Sequence, residues 1–166
     1  MTDLKTRKRI RLENYDYSTP GMYFITVCTK NRQNILWNNV RTDIISPDNL
    51  PLSSIGITVE HGILQINNHY DNVEVNKYCI MPDHIHLIIF IYPNESGRMV
   101  SAPTISTIVG SMKRWTSKQT GKPIWQKSFI DRIIRNEKGY QAVWEYIENN
   151  PLKTDTSDDM PDFDNM

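Results

Sequence analysis

Val73-Glu-Val-Asn-Lys-Tyr-Cys-Ile80, then Met81-Pro82-Asp83-His84, then Ile85-His-Leu-Ile-Ile-Phe-Ile-Tyr92 run consecutively through the middle of the chain. Two runs rich in β-branched and aromatic residues enclose a short Pro-Asp turn signal. The pattern predicts two adjacent antiparallel strands joined as a hairpin. Upstream, Gly21-Met-Tyr-Phe-Ile-Thr-Val-Cys-Thr29 follows the turn signal Thr19-Pro20-Gly21 and has the same strand character. Between these strands, residues 38–50 are polar, contain Pro47 and Asp48, and read as a loop. Pro51-Leu52-Ser53 then opens a stretch with Ile55, Val59, Ile63 and Ile66 at helical spacing. Downstream, residues 104–120 carry Ile105, Ile108, Val109, Met112 and Trp115 on a second helical stripe. After Gly121-Lys122-Pro123, residues 125–134 read as a strand and residues 137–149 as a helix ended by Asn150-Pro151. The order β, α, β, β, α, β, α predicts an α+β fold, a ferredoxin-like split βαβ antiparallel sheet with an added C-terminal helix.

The 166 residues are 39% hydrophobic and 23% charged, enough for one domain with a substantial core. No apolar run reaches the roughly 20 residues that span a bilayer, which excludes an integral membrane helix. The polar, basic N-terminus does not read as a secretion signal, so the expected location is the cytoplasm. Cys28 and Cys79 lie inside strand-like stretches without a C-x-x-C partner, and read as reduced, buried thiols. Nineteen basic residues cancel nineteen acidic ones, and taken whole that balance argues against a nucleic-acid partner. Counting by segment reverses the inference. The first eleven residues hold Lys5, Arg7, Lys8, Arg9 and Arg11 against Asp3, and residues 98–138 hold nine basic groups against two acidic, a net +7. After Leu152 five Asp face one Lys in a stretch without apolar periodicity, which reads as a disordered acidic tail. The expected organisation is a folded unit over 1–153, with a basic arm at 1–19, and a tail over 154–166.

His84-Ile85-His86 is the sharpest local feature. On a strand, residues i and i+2 share a face, so both imidazoles flank one point while Ile85 turns away. That suits a divalent metal with coordination positions left open; two hydrogen-bonded histidines at a strand start fit the spacing as well. His61 and His69 fit a plain surface role. On the last helix Tyr140, Val143, Trp144 and Ile147 form the apolar face, with Tyr146 on its flank and Asn150 one turn further on the same side. The pair presents a hydroxyl and an amide together; it also fits a packed Tyr followed by a helix-ending Asn.

Taken together, Met81-Pro82-Asp83-His84-Ile85-His86-Leu87, the stretch from Gly21 to Arg32, Trp125-Gln126, Ile133-Ile134-Arg135-Asn136 and Tyr146-Ile147-Glu148-Asn149-Asn150-Pro151 resemble the REP-associated tyrosine transposases. These are single-tyrosine, His-hydrophobic-His DNA endonucleases related to the transposases of small insertion sequences. The resemblance runs from about Arg9 to Lys153. It implies His84 and His86 as metal ligands, Asn150 as a third, amide-bearing ligand where related transposases commonly have Gln, and Tyr146 as the nucleophile. The implied cofactor is Mg²⁺ or Mn²⁺. The implied activity is nicking and rejoining of single-stranded or hairpin DNA, with palindromic repeats as substrate, through a 5′-phosphotyrosine. The protein would act as a monomer or homodimer, associated with the nucleoid of a bacterium.

Phosphates are the expected partners of Arg7, Lys8, Arg9 and Arg11 on the arm, of Lys113, Arg114 and Lys118 on the second helix, and of Arg132 and Arg135. Trp115, Trp125 and Tyr17 are candidates for base stacking, though core packing fits each of them better. Asp83 and Glu148 read as surface residues. Where many relatives have Tyr-Asp-His, this chain has Ile130-Asp131-Arg132. That departure, with the acidic tail, motivates a rival reading: a catalytically inactive protein that only binds DNA hairpins. A hydrolase using the two histidines on a small substrate is a third.

Overall fold

The central hairpin forms as the sequence pattern predicts. Strands β2 (Val73–Ile80) and β3 (His84–Ile91) pair antiparallel, and the Met81 N–H donates to the His84 carbonyl at 2.8 Å across the turn. Strand β1 (Gly21–Cys28) lies on the other side of β3, and β4 (Ile130–Ile134) on the other side of β1, also antiparallel. The sheet order β2-β3-β1-β4 is that of the split βαβ arrangement. The computed structural model describes residues 19–38, 50–94 and 103–152. Most of the predicted arm, the interior of the 38–50 loop and the whole 154–166 tail lie outside those residues.

Helices α1 (Ser54–His69) and α2 (Ile105–Thr120) cover one face of the sheet, and α3 (Glu137–Asn149) covers the other. The period-2 alternation of β3 divides its residues between the two layers. Ile85, Leu87, Ile89 and Ile91 join α1 and α2 in one core, whereas Ile88 packs with Phe24, Val143 and Ile147 beneath α3. Covered on both faces, β3 appears in the sequence as an almost unbroken apolar run. One irregularity interrupts the ladder, a register shift between Val75 and Lys77 in β2. No helix among the described residues is long and apolar enough to cross a membrane.

Each helix starts at a polar cap: Ser53 Oγ accepts from Gly56 N at 3.0 Å, Thr104 Oγ1 from Thr107 N at 3.1 Å, and Asn136 Oδ1 from Gly139 N at 2.8 Å. Such caps contribute about 1 kcal/mol each. At its start α1 presses on the segment that follows β1. A Cβ at Gly56 would lie 2.1 Å from the Leu36 carbonyl oxygen, so only glycine permits this approach.

The structure corrects one boundary. Strand β4 begins at Ile130 rather than at Trp125, which makes only an isolated bridge to Thr29. The carbonyls of Gln126 and Lys127 accept from Lys113 Nζ at 2.6 and 3.1 Å, and the Trp125 indole donates to Thr116 Oγ1 at 2.8 Å. Contacts with α2 therefore replace a strand ladder there. The last helix ends at Asn149 as the sequence predicts; Asn150, its cap, keeps helical angles (φ −59°, ψ −44°) and leads into a 3₁₀ turn over Asn150–Leu152. Pro151 lacks an N–H, but the first turn of a helical segment has no use for one.

Candidate active site and metal centre

Strand alternation places His84 and His86 on the α3 side of the sheet, with Ile85 buried on the other. Their Nε2 atoms stand 3.1 Å apart. Each Nδ1 has its own partner. His84 Nδ1 lies 2.6 Å from Asp83 Oδ1, and His86 Nδ1 lies 2.9 Å from Thr26 Oγ1. Burial pushes the Asp83 carboxyl up, but the hydrogen bond to His84 and the charges of His84 and Arg32 outweigh it and hold the group below its ordinary value. An ionised carboxylate only accepts, so His84 Nδ1 carries the proton of that contact, and in the neutral ring Nε2 offers a lone pair. His86 is buried, and that burial, reinforced by His84 and Arg32 against the opposing effect of Asp83, holds its pKa well below the usual imidazole value. It is therefore neutral, the form that ligates metals.

The donor set fits a small divalent cation. Two nitrogens each about 2.1 Å from one ion and at right angles to it are about 3.0 Å apart, close to the 3.1 Å observed. When His86 Nδ1 donates to Thr26 as His84 Nδ1 donates to Asp83, the two Nε2 lone pairs face each other, an arrangement that a cation between them resolves. Among the described residues no group of three His, Cys, Asp or Glu is placed to hold a metal. A third protein ligand would have to be an amide or a hydroxyl. Asn150 is buried, and its Nδ2 has no hydrogen-bond partner among the described residues. Buried amides are normally satisfied, so this orphan, one turn beyond Tyr146, needs a ligand or a reoriented amide to explain it.

Helix α3 brings Tyr146 to the histidines. Its ring meets His86 edge-on at 5.4 Å between centroids and Phe24 at 6.1 Å, and Phe24 in turn stacks on His86 at 5.3 Å. The helix is fastened by buried Val143 and Ile147 and by polar contacts to β2. Tyr140 donates to Asn76 Oδ1 at 2.7 Å, Lys77 pairs with Glu148, and the Lys77 ammonium lies 4.1 Å over the Trp144 ring. The structure thus gathers His84, His86 and Tyr146, and sets Asn150 one turn beyond Tyr146 on the same helix.

Sequence reasoning overlooked several contributors. Asp83 and Glu148, read as surface residues, are both engaged: Asp83 holds His84 and Arg32, and Glu148 holds Lys77. The available signal for Asp83 was its place next to His84. Thr26 and Phe24 reach the site only through the β1–β3 register, in which Thr26 faces His86 and Phe24 faces Ile88.

The predicted phosphate contacts are dispersed. Arg7, Lys8, Arg9 and Arg11 lie outside the described residues. Lys113 spends its ammonium on the carbonyls of Gln126 and Lys127, and Arg114 reaches Ser111 Oγ at 3.2 Å. Lys118 lies in the last turn of α2, and Arg135 follows β4. Arg132 is opposite Phe24 in the β1–β4 register and so shares the α3 face with the histidines. Trp125 is a core residue, Trp115 packs near Gly62, and His61 and His69 are exposed on α1.

Residues 18–150 match the family described as "Transposase IS200 like". The chain belongs to the IS200-like transposases. An uncharacterized protein of Haemophilus influenzae is 31% identical over 165 residues, covering 88% of each chain. A putative REP-associated tyrosine transposase of the same organism is 26% identical, covering 86% of this chain and 77% of that one. The REP-associated tyrosine transposase of Escherichia coli is 25% identical, covering 82% and 70%. In fold, this IS200-like transposase is similar to a REP-associated tyrosine transposase solved bound to a REP hairpin, with a TM-score of 0.60 at 23% identity over 86% of this chain and 73% of the other. Its membership makes it a DNA transposase of the tyrosine class, and the four-stranded antiparallel sheet with its helices is the fold of that relative.

Proposed function

We propose that this transposase nicks and rejoins single-stranded or hairpin DNA through Tyr146, with a divalent metal, Mg²⁺ or Mn²⁺, held by His84, His86 and Asn150. The observation that carries the proposal is the convergence of the two imidazole Nε2 atoms at 3.1 Å, with the Tyr146 ring against one of those imidazoles. The hairpin bound by the structural relative supports palindromic repeats as the substrate class.

A phosphodiester is a charged electrophile, so its cleavage needs charge neutralisation and an oriented nucleophile. The metal, when bound, supplies Lewis-acid polarisation of the scissile phosphate. The chain supplies the rest. The Tyr146 oxygen loses its proton and attacks phosphorus, the P–O3′ bond breaks, the upstream fragment takes up a proton and leaves with a free 3′-OH, and the downstream fragment stays on the tyrosine through its 5′-phosphate. Phe24 and His86 hold the tyrosine ring against sliding, and the contacts of α3 with β2 hold the helix. Attack by a 3′-OH on the phosphotyrosine restores a phosphodiester without ATP, because the number of phosphate ester bonds never changes. Arg132, on the same face, and Arg135, Arg114 and Lys118 supply positive charge for the backbone.

Incubation with a single-stranded hairpin oligonucleotide and Mn²⁺ yields a covalent protein–DNA adduct that disappears in Tyr146→Phe. An adduct that persists in Tyr146→Phe refutes the assignment of the nucleophile. Salt-sensitive hairpin binding without cleavage under any divalent metal instead identifies an inactive hairpin-binding descendant, the reading favoured by Arg132 in place of the histidine.

A further inference from the structure

We propose that Arg32 and Asp83 form a positioning pair that sets the orientation of the His84 ring for the cation; the inference rests on the proposed metal site. His84 opens β3, and its side chain is 17% exposed, whereas His86 is held inside the sheet by Thr26 and Phe24. A ring at a strand start with solvent on one side is free to turn over and offer either nitrogen. Asp83 removes that freedom. Its Oδ1 takes His84 Nδ1 at 2.6 Å, which leaves Nε2 aimed at His86. Its Oδ2 takes Arg32 Nε at 2.9 Å, so the carboxylate itself has only one orientation that satisfies both partners.

The backbone around Arg32 is shaped to deliver that contact. Asn31 and Arg32 are consecutive non-glycine residues in the left-handed region, with φ of 57° and 54°. Such a pair persists only where the surroundings impose it, and it tends to occur at functional sites. Thr29, fully buried, imposes it here. Its N–H donates to the Asp83 carbonyl at 2.9 Å, and its single hydroxyl proton is shared between the Gln33 carbonyl at 2.8 Å and the Asp83 carbonyl at 3.1 Å. The Arg32 N–H closes the turn on the Thr29 carbonyl at 3.1 Å, and the Lys30 N–H is fixed to the Ile124 carbonyl at 2.9 Å. Arg32 Nη1 lies 2.8 Å from Cys28 Sγ, and Cys28 faces His84 across the β1–β3 ladder. One residue thus locks the Asp83 main chain from behind while the turn it starts locks the Asp83 side chain from in front. Arg32 is 48% exposed and Asp83 16%, so the pair matters for the direction it gives the carboxylate rather than for ion-pair energy.

Partners one step beyond the metal ligands typically change metal affinity by 10- to 100-fold. Mn²⁺ binding to the full chain without DNA, followed by electron paramagnetic resonance, reads this directly. Asp83→Ala weakens binding about 10- to 100-fold; Asp83→Asn, which keeps an acceptor and loses the charge, and Arg32→Gln weaken it less. The ¹⁵N shifts of His84 give a signature that a merely structural role would not move: in Asp83→Ala the metal-free ring gains the Nε2–H tautomer, absent in the parent. Far-ultraviolet circular dichroism identifies any variant that fails to fold, in which case Asp83→Asn carries the test. Unchanged Mn²⁺ affinity and an unchanged tautomer in folded Asp83→Ala, with binding lost in His84→Ala, overturn the positioning pair alone. Full Mn²⁺ affinity in His84→Ala overturns the metal site as well.

Discussion

Replacing Thr26 by Val isolates the hydrogen bond that orients His86. The two side chains have nearly the same shape, and Thr26 is buried, so the substitution trades a hydroxyl for a methyl with little repacking. What it removes is the 2.9 Å contact to His86 Nδ1, on a ring that is itself buried. A buried polar group left without a partner costs about 1–3 kcal/mol. For a folded body of this size that is a fall in Tm of about 4–12 °C. The proposed metal adds a second readout. At a Mn²⁺ concentration about 100 times Kd, binding stabilises the folded state by about 2.7 kcal/mol. A tenfold loss of affinity on freeing the imidazole reduces that increment to about 1.4 kcal/mol at the same concentration. Thermal and urea unfolding, each with and without Mn²⁺, measure both quantities, and Thr26→Ser, which keeps the hydroxyl, serves as the control. A Thr26→Val protein as stable as its parent and with the full Mn²⁺ increment would show that Thr26 does not hold His86.

Two further outcomes concern the scaffold. Gly56→Ala puts a Cβ 2.1 Å from the Leu36 carbonyl oxygen, a backbone atom that cannot step aside without moving the segment, so urea unfolding should record a loss of at least about 2 kcal/mol; an unchanged midpoint refutes the close approach of α1. The Cys79 thiol is pushed up to about 12, by burial first and then by Glu148, with Lys77 opposing. Its folded pKa lies above the unfolded value of about 8.5, so its stabilising effect is complete below that pH and is lost as pH rises towards 12. In a Cys28→Ser background, Ellman's reagent at pH 8.5 should therefore label Cys79 only as fast as the protein opens, and prompt labelling of the native protein refutes its burial.

How much the sequence discloses depends on the range of the interaction. The hairpin and all three helices were legible because their signals are local: β-branched runs around Met81-Pro82-Asp83, apolar stripes, and the breaks at Pro51-Leu52-Ser53 and Asn150-Pro151. The His84–His86 pair was legible for the same reason, since strand alternation needs no partner strand. Thr26 was not, because its contact with His86 depends on pairing across 60 positions. Residues 125–129 misled because Trp125 has strand character, whereas its indole and the following carbonyls are claimed by Thr116 and Lys113. Arg32 escaped notice because nothing in Asn31-Arg32 announces two left-handed residues; that conformation is imposed by Thr29 and by the neighbouring strand.

The register shift in β2 is more than a defect in the ladder. Neighbouring residues of a regular strand point to opposite faces, yet Asn76 and Lys77 both reach α3, one holding Tyr140 and the other Glu148. One extra residue turns a single possible anchor into two, and the residues they grip are about 12 Å apart along the helix axis. Tyr146 lies between them. Sliding α3 by one residue would shift Tyr146 about 1.5 Å and swing it about 100° around the axis, losing both anchors at once. The bulge therefore serves as a gauge block, converting an irregularity at the sheet edge into the fixed distance at which Tyr146, the proposed nucleophile, is held.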